Sequence, residues 1–351
     1  MVIAGAGFAG LACACAATAG GLKVLVIERK KGPGQGMHTT GILVKEVLEK
    51  YDFPPELLHK ITEVRLYSPN RKYIEIGTHN SFFSATDTPG VMKYLSELSK
   101  KCGVEIRYGT AFKTAEVIDG EILLDIGIKT KFLIGADGAS SRVAEIFNLG
   151  VNNKCLLGVE VEVKNFPMPN RDAFYCYLNQ KSAYGYLGWM VPSCNNVTQI
   201  GLACAPPHKP DIEAFVKTIC EEYGLASAEI ISRRGGLIPA GGLVKPFYKG
   251  NIILIGDAAG IVSPLTAGGI HTGMHYGTLA GEALVSHIKN NGKHPALILK
   301  KTYPRFRKKL LMRWAFEKLA PDWLLNILFN SFLFRLLTKV IFLNRAYYPK
   351  I

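Results

Sequence analysis

The stretch VIAGAGFAGLACACAATAGGLKVLVIER, residues 2–29, has the pattern of a strand, a tight turn, a helix and a second strand. Its turn carries glycines in the spacing Gly5-x-Gly7-x-x-Gly10. In a dinucleotide site the first glycine makes the turn, the second lets a pyrophosphate approach the backbone, and the third lets the helix pack closely on the sheet. Glu28 ends the second strand, where a carboxylate binds ribose hydroxyls. This order predicts a Rossmann-type nucleotide-binding domain.

Two later stretches repeat the pattern of an apolar strand that ends in a glycine and an aspartate. KFLIGADGASSRVAEIFNL, residues 131–149, places Asp137 after its strand, and GNIILIGDAAGIVSPLTAGGIHTG, residues 250–273, places Asp257 there. Open α/β sheets present ligand-binding groups at the carboxyl ends of their strands. We therefore expect both carboxylates to lie at the nucleotide site, with Asp257 on a ribityl chain.

The glycine-rich segment after Asp257 leads into a helix that begins beyond Gly268-Gly269. The positive end of that helix would point at the N1/C2 carbonyl region of a flavin ring. The first turn alone does not separate FAD from NAD, whereas the second and third stretches favour FAD. Bulky side chains are absent after Asp257, in this interpretation, because the flavin lies along the backbone.

These three stretches resemble the FAD-binding fold shared by the p-hydroxybenzoate hydroxylase and geranylgeranyl reductase groups. The finer resemblance covers roughly residues 1–290 and is to the geranylgeranyl reductase family. Residues 235–270 are similar to that family's stretch from Gly-x-Ile-Pro into the third flavin motif, and residues 186–203 are similar to its Trp-x-Phe-Pro motif followed by Gly-x-Gly. The positions that match in the second motif are Trp189, Pro192 and Gly201.

The resemblance implies an FAD-dependent reductase that saturates carbon–carbon double bonds of a polyprenyl chain or lipid. Reduced flavin would deliver hydride to one alkene carbon while a proton reaches the other, and the electron donor would be NAD(P)H or a ferredoxin. The implied cofactor-binding residues are Gly5, Gly7, Phe8, Ala9, Gly10, Glu28, Arg29, Gly41, Phe112, Asp137, Gly138, Gly256, Asp257, Ala258, Gly260, Pro264, Gly268, Gly269 and Ile270. The implied substrate-binding residues are Tyr186, Trp189 and Pro192.

Departures from the family pattern keep two other functions open. Thr40 stands where many members carry a cysteine, so no catalytic residue is assigned, and Leu187 and Val191 replace the usual aromatic residues. An FAD-dependent monooxygenase or halogenase would share all three flavin stretches. A non-catalytic flavin- or lipid-binding protein is the second alternative. No metal site is predicted.

The predicted architecture is α/β, with a Rossmann-type FAD-binding domain, an interleaved antiparallel-sheet substrate domain and a helical C-terminal tail. Strands rich in β-branched and aromatic residues, separated by turn signals, indicate the second domain, which would roof the flavin. Tyr175, Tyr177 and Trp189 are among the aromatic residues expected on one face of its sheet. The predicted domains are residues 1–60, 86–155 and 235–295 for FAD, residues 61–85 and 156–234 for substrate, and residues 296–351 for the tail.

The tail carries most of the net charge of +14. Residues 300–351 contain twelve basic and two acidic residues, interleaved with large apolar side chains, and Pro321 is expected to divide the segment into two helical pieces. Basic amphipathic helices of this kind lie on anionic membranes. No run of about eighteen apolar residues is present, so we expect a cytoplasmic protein that contacts a membrane surface through residues 305–345, without nucleic acid.

Overall fold

The computed structural model describes residues 1–77 and 83–343. Its strands are β1 (Val2–Ala4), β2 (Leu25–Glu28), β3 (Ile42–Val44), β4 (Leu58–Ile61), β5 (Glu63–Tyr67), β6 (Tyr73–Gly77), β7 (Phe83–Thr86), β8 (Glu105–Tyr108), β9 (Ala115–Ile118), β10 (Glu121–Leu124), β11 (Ile128–Thr130), β12 (Leu133–Gly135), β13 (Cys155–Lys164), β14 (Ala173–Tyr177), β15 (Gly188–Pro192), β16 (Val197–Cys204), β17 (Ile230–Pro239), β18 (Tyr248–Lys249) and β19 (Ile252–Leu254). Its helices are α1 (Phe8–Ala19), α2 (Lys45–Leu48), α3 (Thr88–Lys101), α4 (Arg142–Ile146), α5 (Ile212–Glu222), α6 (Ile270–Asn290), α7 (Pro295–Thr302), α8 (Arg307–Leu319), α9 (Asp322–Leu328) and α10 (Phe332–Leu343).

The chain forms two compact units, each assembled from separate segments. The first unit comprises Met1–Gly36, Pro89–Lys154 and Pro239–Phe306, and the second comprises Met37–Thr88, Cys155–Ile238 and the segment from Arg307 onward. The unit boundaries differ from the predicted domain boundaries at residues 37–60, which group with the second unit because β3 and β4 both pair with β7. The tail is divided as well, since α7 belongs to the first unit and α8 to the second.

The first unit is built on a six-stranded sheet in the order β18-β19-β12-β1-β2-β8. From β19 to β8 the strands are parallel, and β18 is antiparallel to β19. β1, β12 and β19 are buried along their whole length, as expected for parallel strands with both sheet faces covered. A three-stranded antiparallel sheet, β11-β10-β9, completes the unit. The predicted α/β fold with a Rossmann-type domain is confirmed.

Small residues on α6 allow that helix to pack closely against α1. A Cβ atom on Gly277 would overlap the backbone of Ala9, and one on Gly281 would overlap the carbonyl oxygen of Cys13. Gly273 lies one turn earlier on the same stripe, in ordinary contact range of Ala9. Residues four apart lie on one helix face. These glycines of α6 therefore serve helix packing, a role that the interpretation of the glycine-rich segment as a flavin site did not include.

The second unit is built on a seven-stranded sheet in the order β17-β13-β16-β15-β14-β5-β6. One face of this sheet packs against α5 and is called the α5 face. Phe215 and Ile219 of the helix belong to one buried cluster with Met190, Ile200 and Leu202 of the sheet. The helix begins after Asp211, whose carboxylate accepts a hydrogen bond from the backbone N–H of Ala214 at 3.0 Å. A small antiparallel sheet, β3-β7-β4, completes the unit.

The large aromatic residues of the sheet do not share one face. Tyr175 and Tyr177 of β14 lie on the α5 face and stack on Tyr67. Trp189 of β15 is paired with Cys176 and therefore lies on the opposite face, called here the Trp189 face. The prediction of a single aromatic face was wrong because successive residues of a strand point to opposite sides, and the pairing register decides which of them meet.

The C-terminal segment forms three helices, α8, α9 and α10, where two helical pieces were predicted. Pro321 interrupts the segment as expected and precedes α9, and a second break follows at residues 329–331. Among the described residues no single helix is long and apolar enough to cross a membrane; Asp322–Leu328 and Phe332–Ile341 together meet that length and composition, but with a 99° bend between them.

The same segment is anchored to the second unit. The backbone N–H of Gln180 donates to Asp322 Oδ1 at 2.7 Å, and the side-chain amide of Gln180 donates to the carbonyl of Phe316 at 3.2 Å. Asn326 accepts from the backbone N–H of Asn70 at 2.9 Å. Leu325 and Phe329, one turn apart, are almost fully buried. Residues 316–329 of the tail are therefore packed on the second unit.

Candidate functional site

Four neighbouring parallel strands of the first unit end at the same level of the sheet. The pairing register aligns Ala4 of β1 with Gly135 of β12 and with Ile27 of β2, and aligns Gly135 with Leu254 of β19. The glycine-rich turn, Glu28, the Asp137 loop and the Asp257 loop each follow one of these strands. The sheet therefore brings together, at its carboxyl edge, the elements that the sequence placed at the nucleotide site.

The three glycines of the first turn differ in what surrounds them. Gly5 has a φ of +106°, and a Cβ atom there would overlap the carbonyl of Ala136. A Cβ atom on Gly10 would overlap the carbonyl of Gly5. Gly7, the residue before α1, has no described atom within 4 Å of the position where a Cβ would stand. A turn, a close backbone approach and an open space are the three features that a pyrophosphate-binding loop needs.

The open space at Gly7 lies at the N-terminus of α1, which has no side-chain cap and no acidic residue in its first turn. The first N–H groups of a helix lack intrahelical partners, and the helix dipole favours an anion there. This end of α1 is therefore suited to a phosphate. Phe8 and Ala9 form the start of the helix at this point.

Glu28 connects the end of β2 to the glycine-rich turn. One carboxylate oxygen accepts from the backbone N–H of Ala6 and the other from that of Lys30, both at 2.9 Å. A carboxylate has about four acceptor positions, so two remain for hydroxyl donors. Arg29, the next residue, is exposed.

Asp137 and Asp257 occupy similar places in the sequence pattern but different environments. The Asp137 carboxylate accepts from the Ser141 hydroxyl at 2.6 Å and from the backbone N–H of Val143 at 3.0 Å, so it holds the start of α4. Burial raises its pKa. Gly138 follows with a φ of +85°, and none of the described atoms lies within 4 Å of the position where its Cβ would stand.

Asp257 has no comparable partner. No hydrogen bond or ion pair reaches its carboxylate from the described part of the chain, and burial raises its pKa to about 6. Its Oδ1 lies 3.0 Å from where a Cβ on Gly269 would stand, beside the uncapped N-terminus of α6. The side chain is partly exposed, and its carboxylate is an acceptor that lacks a donor from the described chain. Hydroxyl groups of a bound molecule, such as a ribityl chain, would satisfy it.

Asn152 is a residue of this region that the motifs did not indicate. Its side-chain amide donates to the carbonyl of Ala139 at 3.0 Å and to the carbonyl of Asp257 at 2.9 Å. It therefore ties the second aspartate loop to the third. Asn152 lies in an irregular segment between α4 and β13, where no local pattern distinguishes a bridging amide from a solvated one.

Of the remaining predicted cofactor residues, one belongs to the second unit and the others belong to the first. Gly41 belongs to the second unit, where its φ of +76° and the adjacent Thr86 and Thr88 leave no room for a Cβ atom. The residues that belong to the first unit and lie in or near the third loop are Gly256, Ala258, Gly260, Pro264, Gly268 and Ile270, and Phe112 is buried in the same unit.

On the Trp189 face of the second unit, a buried carboxylate collects three donors. Glu160 Oε2 accepts from the Trp189 indole N–H and from the Thr40 hydroxyl, each at 2.6 Å, and Glu160 Oε1 accepts from Arg234 Nε at 2.6 Å. Tyr186 and Pro192, the other predicted substrate residues, are buried in the same unit. The motif residue Gly201 of β16 pairs with Trp189 of β15 on one side and with Glu160 of β13 on the other. The three residues therefore form one row across the sheet.

Residues 1–314 match the family described as FAD binding domain, and the chain belongs to that family. FAD is accordingly its cofactor. Digeranylgeranylglycerophospholipid reductase of Methanocaldococcus jannaschii is 27% identical over 346 residues, covering 92% of this chain and 88% of that protein. Geranylgeranyl diphosphate reductase of Rhodobacter capsulatus is 27% identical over 305 residues, covering 82% and 75%.

A solved structure supports the fold at lower sequence similarity. The crystal structure of a geranylgeranyl bacteriochlorophyll reductase-like protein from Thermoplasma acidophilum matches with a TM-score of 0.85 and 19% identity, covering 99% of this chain and 96% of that one. Together with the two reductases, it confirms the resemblance to the geranylgeranyl reductase family that the sequence motifs indicated.

The raised pKa of Asp257 predicts a pH-dependent stability of the flavin-free protein. Between pH 4 and pH 6 the folded chain holds a proton that the unfolded chain has lost, so the free energy of unfolding falls as pH rises, by about 2–3 kcal/mol in total. Urea unfolding of apoprotein across this range measures it. Asp257→Asn removes this group and should lose that part of the slope, and an unchanged slope in the variant would contradict the assignment.

Proposed function

We propose that this protein is an FAD-dependent reductase that saturates carbon–carbon double bonds of a polyprenyl chain carried by an isoprenoid or lipid. The observation that carries the proposal is the convergence of the glycine-rich turn, Glu28 and the unpartnered Asp257 at one sheet edge. The names of the two similar reductases support the substrate class.

The residues fit FAD in an order that follows the cofactor's length. The N-terminus of α1 beside Gly7 would hold the pyrophosphate, Glu28 the adenosine ribose, and Asp257 the ribityl hydroxyls. When bound and reduced, FAD supplies the hydride. The chain's own contribution is to hold the cofactor and to exclude water from the reacting double bond.

The Trp189 face would contact the apolar substrate. Trp189 and Tyr186 are each 7% exposed, and neither is charged, so an isoprenoid chain could pack on them without desolvating an ion. The Thr40 hydroxyl directs its hydrogen to Glu160. While that bond holds, the Thr40 hydrogen is not available to protonate a substrate carbon.

The proposed reaction is tested by anaerobic turnover of a geranylgeranylated lipid with chemically reduced enzyme. Mass spectrometry should show two added hydrogens for each double bond reduced, with flavin reoxidation in step. Oxygen uptake coupled to substrate, with a hydroxylated or halogenated product, would favour the monooxygenase or halogenase alternative. Flavin that stays reduced with every polyprenyl substrate would favour the non-catalytic one.

We propose either NAD(P)H or a ferredoxin as the electron donor. The sequence holds one Gly-x-Gly-x-x-Gly turn that directly follows a strand, so no separate nicotinamide domain is expected. Flavin bleaching under anaerobic conditions, with each donor in turn, distinguishes the two.

We further propose that the C-terminal helices bind an anionic membrane surface. On α10 the residues Phe332, Leu333, Leu336, Leu337 and Val340 form one broad exposed apolar band, in which Phe332 is 78% and Leu333 73% exposed. Arg335 and Lys339, four residues apart, lie along one edge of that band. An apolar band bordered by basic residues suits the headgroup layer of an anionic bilayer.

The predicted membrane contact can be removed without removing the tail. Leu333→Asp with Leu336→Asp should abolish co-sedimentation with phosphatidylglycerol-containing vesicles, because two charges enter the apolar band that would contact the bilayer. Val117→Asp with Val151→Asp, at positions of similar exposure in the first unit, is the matched control and should bind normally. Arg335→Ala should weaken binding about fivefold, since one basic residue contributes about 1 kcal/mol.

Two results would contradict the membrane proposal. One is binding of the native protein to pure phosphatidylcholine vesicles as strong as to anionic ones, at every salt concentration. The other is self-association of the native protein that the Leu333→Asp, Leu336→Asp variant loses, which would show that a second copy covers the band. Flavin content should be equal in all variants, because their substitutions lie outside the nucleotide loops.

A further inference from the structure

The proposed hydride transfer makes no direct use of the buried polar cluster on the Trp189 face. Its centre is Glu160, which is 3% exposed, and its donors come from three separate segments: Thr40 before β3, Trp189 in β15 and Arg234 in β17. Arg234 also pairs with Glu162 at 2.9 Å. A buried carboxylate costs free energy unless it is paired and hydrogen-bonded, so this one is stabilised by all three donors at once.

The Trp189 ring is held by two constraints. Its N–H is the only polar group of the indole, and the bond to Glu160 Oε2 therefore sets the rotation of the ring. Gly201, the residue between Trp189 and Glu160 in the cross-strand row, lies beneath the ring, and a Cβ there would overlap the indole. The missing side chain lets the ring lie over β16 and reach Glu160 on β13.

Thr40 is oriented by the same oxygen. Its hydroxyl donates to Glu160 Oε2, so its lone pairs point away from the carboxylate. Because Thr40 and Trp189 share one acceptor atom, the two hydrogen bonds compete. Removing one donor should strengthen the bond to the other.

We propose that Glu160 is a positioning residue that fixes the plane of the Trp189 ring and the rotamer of Thr40. That a polyprenyl group of the substrate packs on the Trp189 ring rests on the function proposed above. The positioning of Trp189 and Thr40 by Glu160 does not depend on that function. Glu160 acts through Trp189, and its effect on turnover should therefore appear in substrate binding more than in the chemical step.

Glu162 offers a matched control. It lies two residues from Glu160 on the same strand and the same face, accepts from Ser232 Oγ at 2.7 Å and pairs with Arg234. It makes no described contact with Thr40 or Trp189. A general effect of removing a carboxylate from this face would appear in both Glu→Gln variants, whereas a positioning effect appears in Glu160→Gln alone.

The indole N–H resonances of the ¹⁵N-tryptophan-labelled holoenzyme test the inference directly. The chain has three tryptophans, of which Trp314 and Trp323 are exposed and Trp189 is buried. Trp189→Phe assigns the third signal. Glu160→Gln should move that signal upfield and speed its solvent exchange, and Glu162→Gln should leave it in place. Thr40→Val should move it downfield, since the shared oxygen then serves Trp189 alone, and Thr40→Ser should restore it.

A folded, flavin-bound Glu160→Gln enzyme with an unchanged Trp189 signal would overturn the inference. If that variant does not fold, an unchanged Trp189 signal in Thr40→Val would overturn it equally. With turnover, Glu160→Gln should raise KM about tenfold with kcat within about twofold, the size expected for one charged hydrogen bond. Absence of turnover in the native protein would reject the proposed function, while the resonance positions would still decide the role of Glu160.

Discussion

Asp257→Asn is expected to yield a folded protein that has lost most of its flavin. The carboxylate has no partner in the described chain, so hydroxyl donors of the cofactor would be its hydrogen-bond partners. Loss of hydrogen bonds to a charged group costs about 1.5–3 kcal/mol, which corresponds to FAD affinity about ten- to a hundredfold lower. FAD titration of apoprotein, followed by flavin fluorescence, measures the change.

Asp137→Asn is the matched comparison and should show the opposite pattern. Its carboxylate already accepts from Ser141 and Val143. The substitution should therefore lower the stability of the apoprotein, whereas Asp257→Asn should leave it equal or higher at neutral pH because it removes a carboxylate whose pKa is raised in the folded chain. Equal flavin loss in both variants, with equal destabilisation, would reject the distinction between the two aspartates.

Gly10→Ala and Gly7→Ala should fail in different ways. A methyl group on Gly10 meets the carbonyl oxygen of Gly5, and neither backbone segment can move without displacing α1 from the sheet. Overpacking typically costs about 1–3 kcal/mol and more when backbone must move, so we expect little soluble protein. A methyl group on Gly7 meets no atom of the described residues. It should fold normally and lose FAD, because the methyl group occupies the space predicted for the pyrophosphate.

Thermal unfolding and flavin absorbance, read on both variants, separate these outcomes. Gly77→Ala is the control, since Gly77 in β6 also has no described atom within 4 Å of a Cβ position. It should change neither measurement. Full flavin occupancy in Gly7→Ala would place the pyrophosphate elsewhere than at the N-terminus of α1.

The parts of the structure that the sequence predicted correctly are set by local interactions. The turn from β1 into α1 follows from the glycine spacing. Parallel strands that end in Gly-Asp must place those ends at one edge once they are neighbours. The aspartate loops could therefore be predicted to lie together without coordinates.

The sequence did not distinguish the roles of residues with the same local pattern. Asp137 and Asp257 both follow a buried strand and a glycine, but only Asp137 is followed by a serine whose hydroxyl reaches its carboxylate. The packing of Gly277 and Gly281 against α1 was not predicted, because the sequence does not state which helix lies opposite.

The sequence by itself determined the class of fold, the family motifs and the order of the nucleotide loops, because each depends on residues within one strand, turn and helix. Tertiary structure alone decided that Trp189 faces away from Tyr175 and Tyr177, that Glu160 binds Trp189 across β16, and that residues 316–329 pack on the second unit. These facts depend on strand register and on contacts between residues far apart in the chain. A shift of one residue in pairing reverses every side chain of a strand, and no local pattern specifies that register.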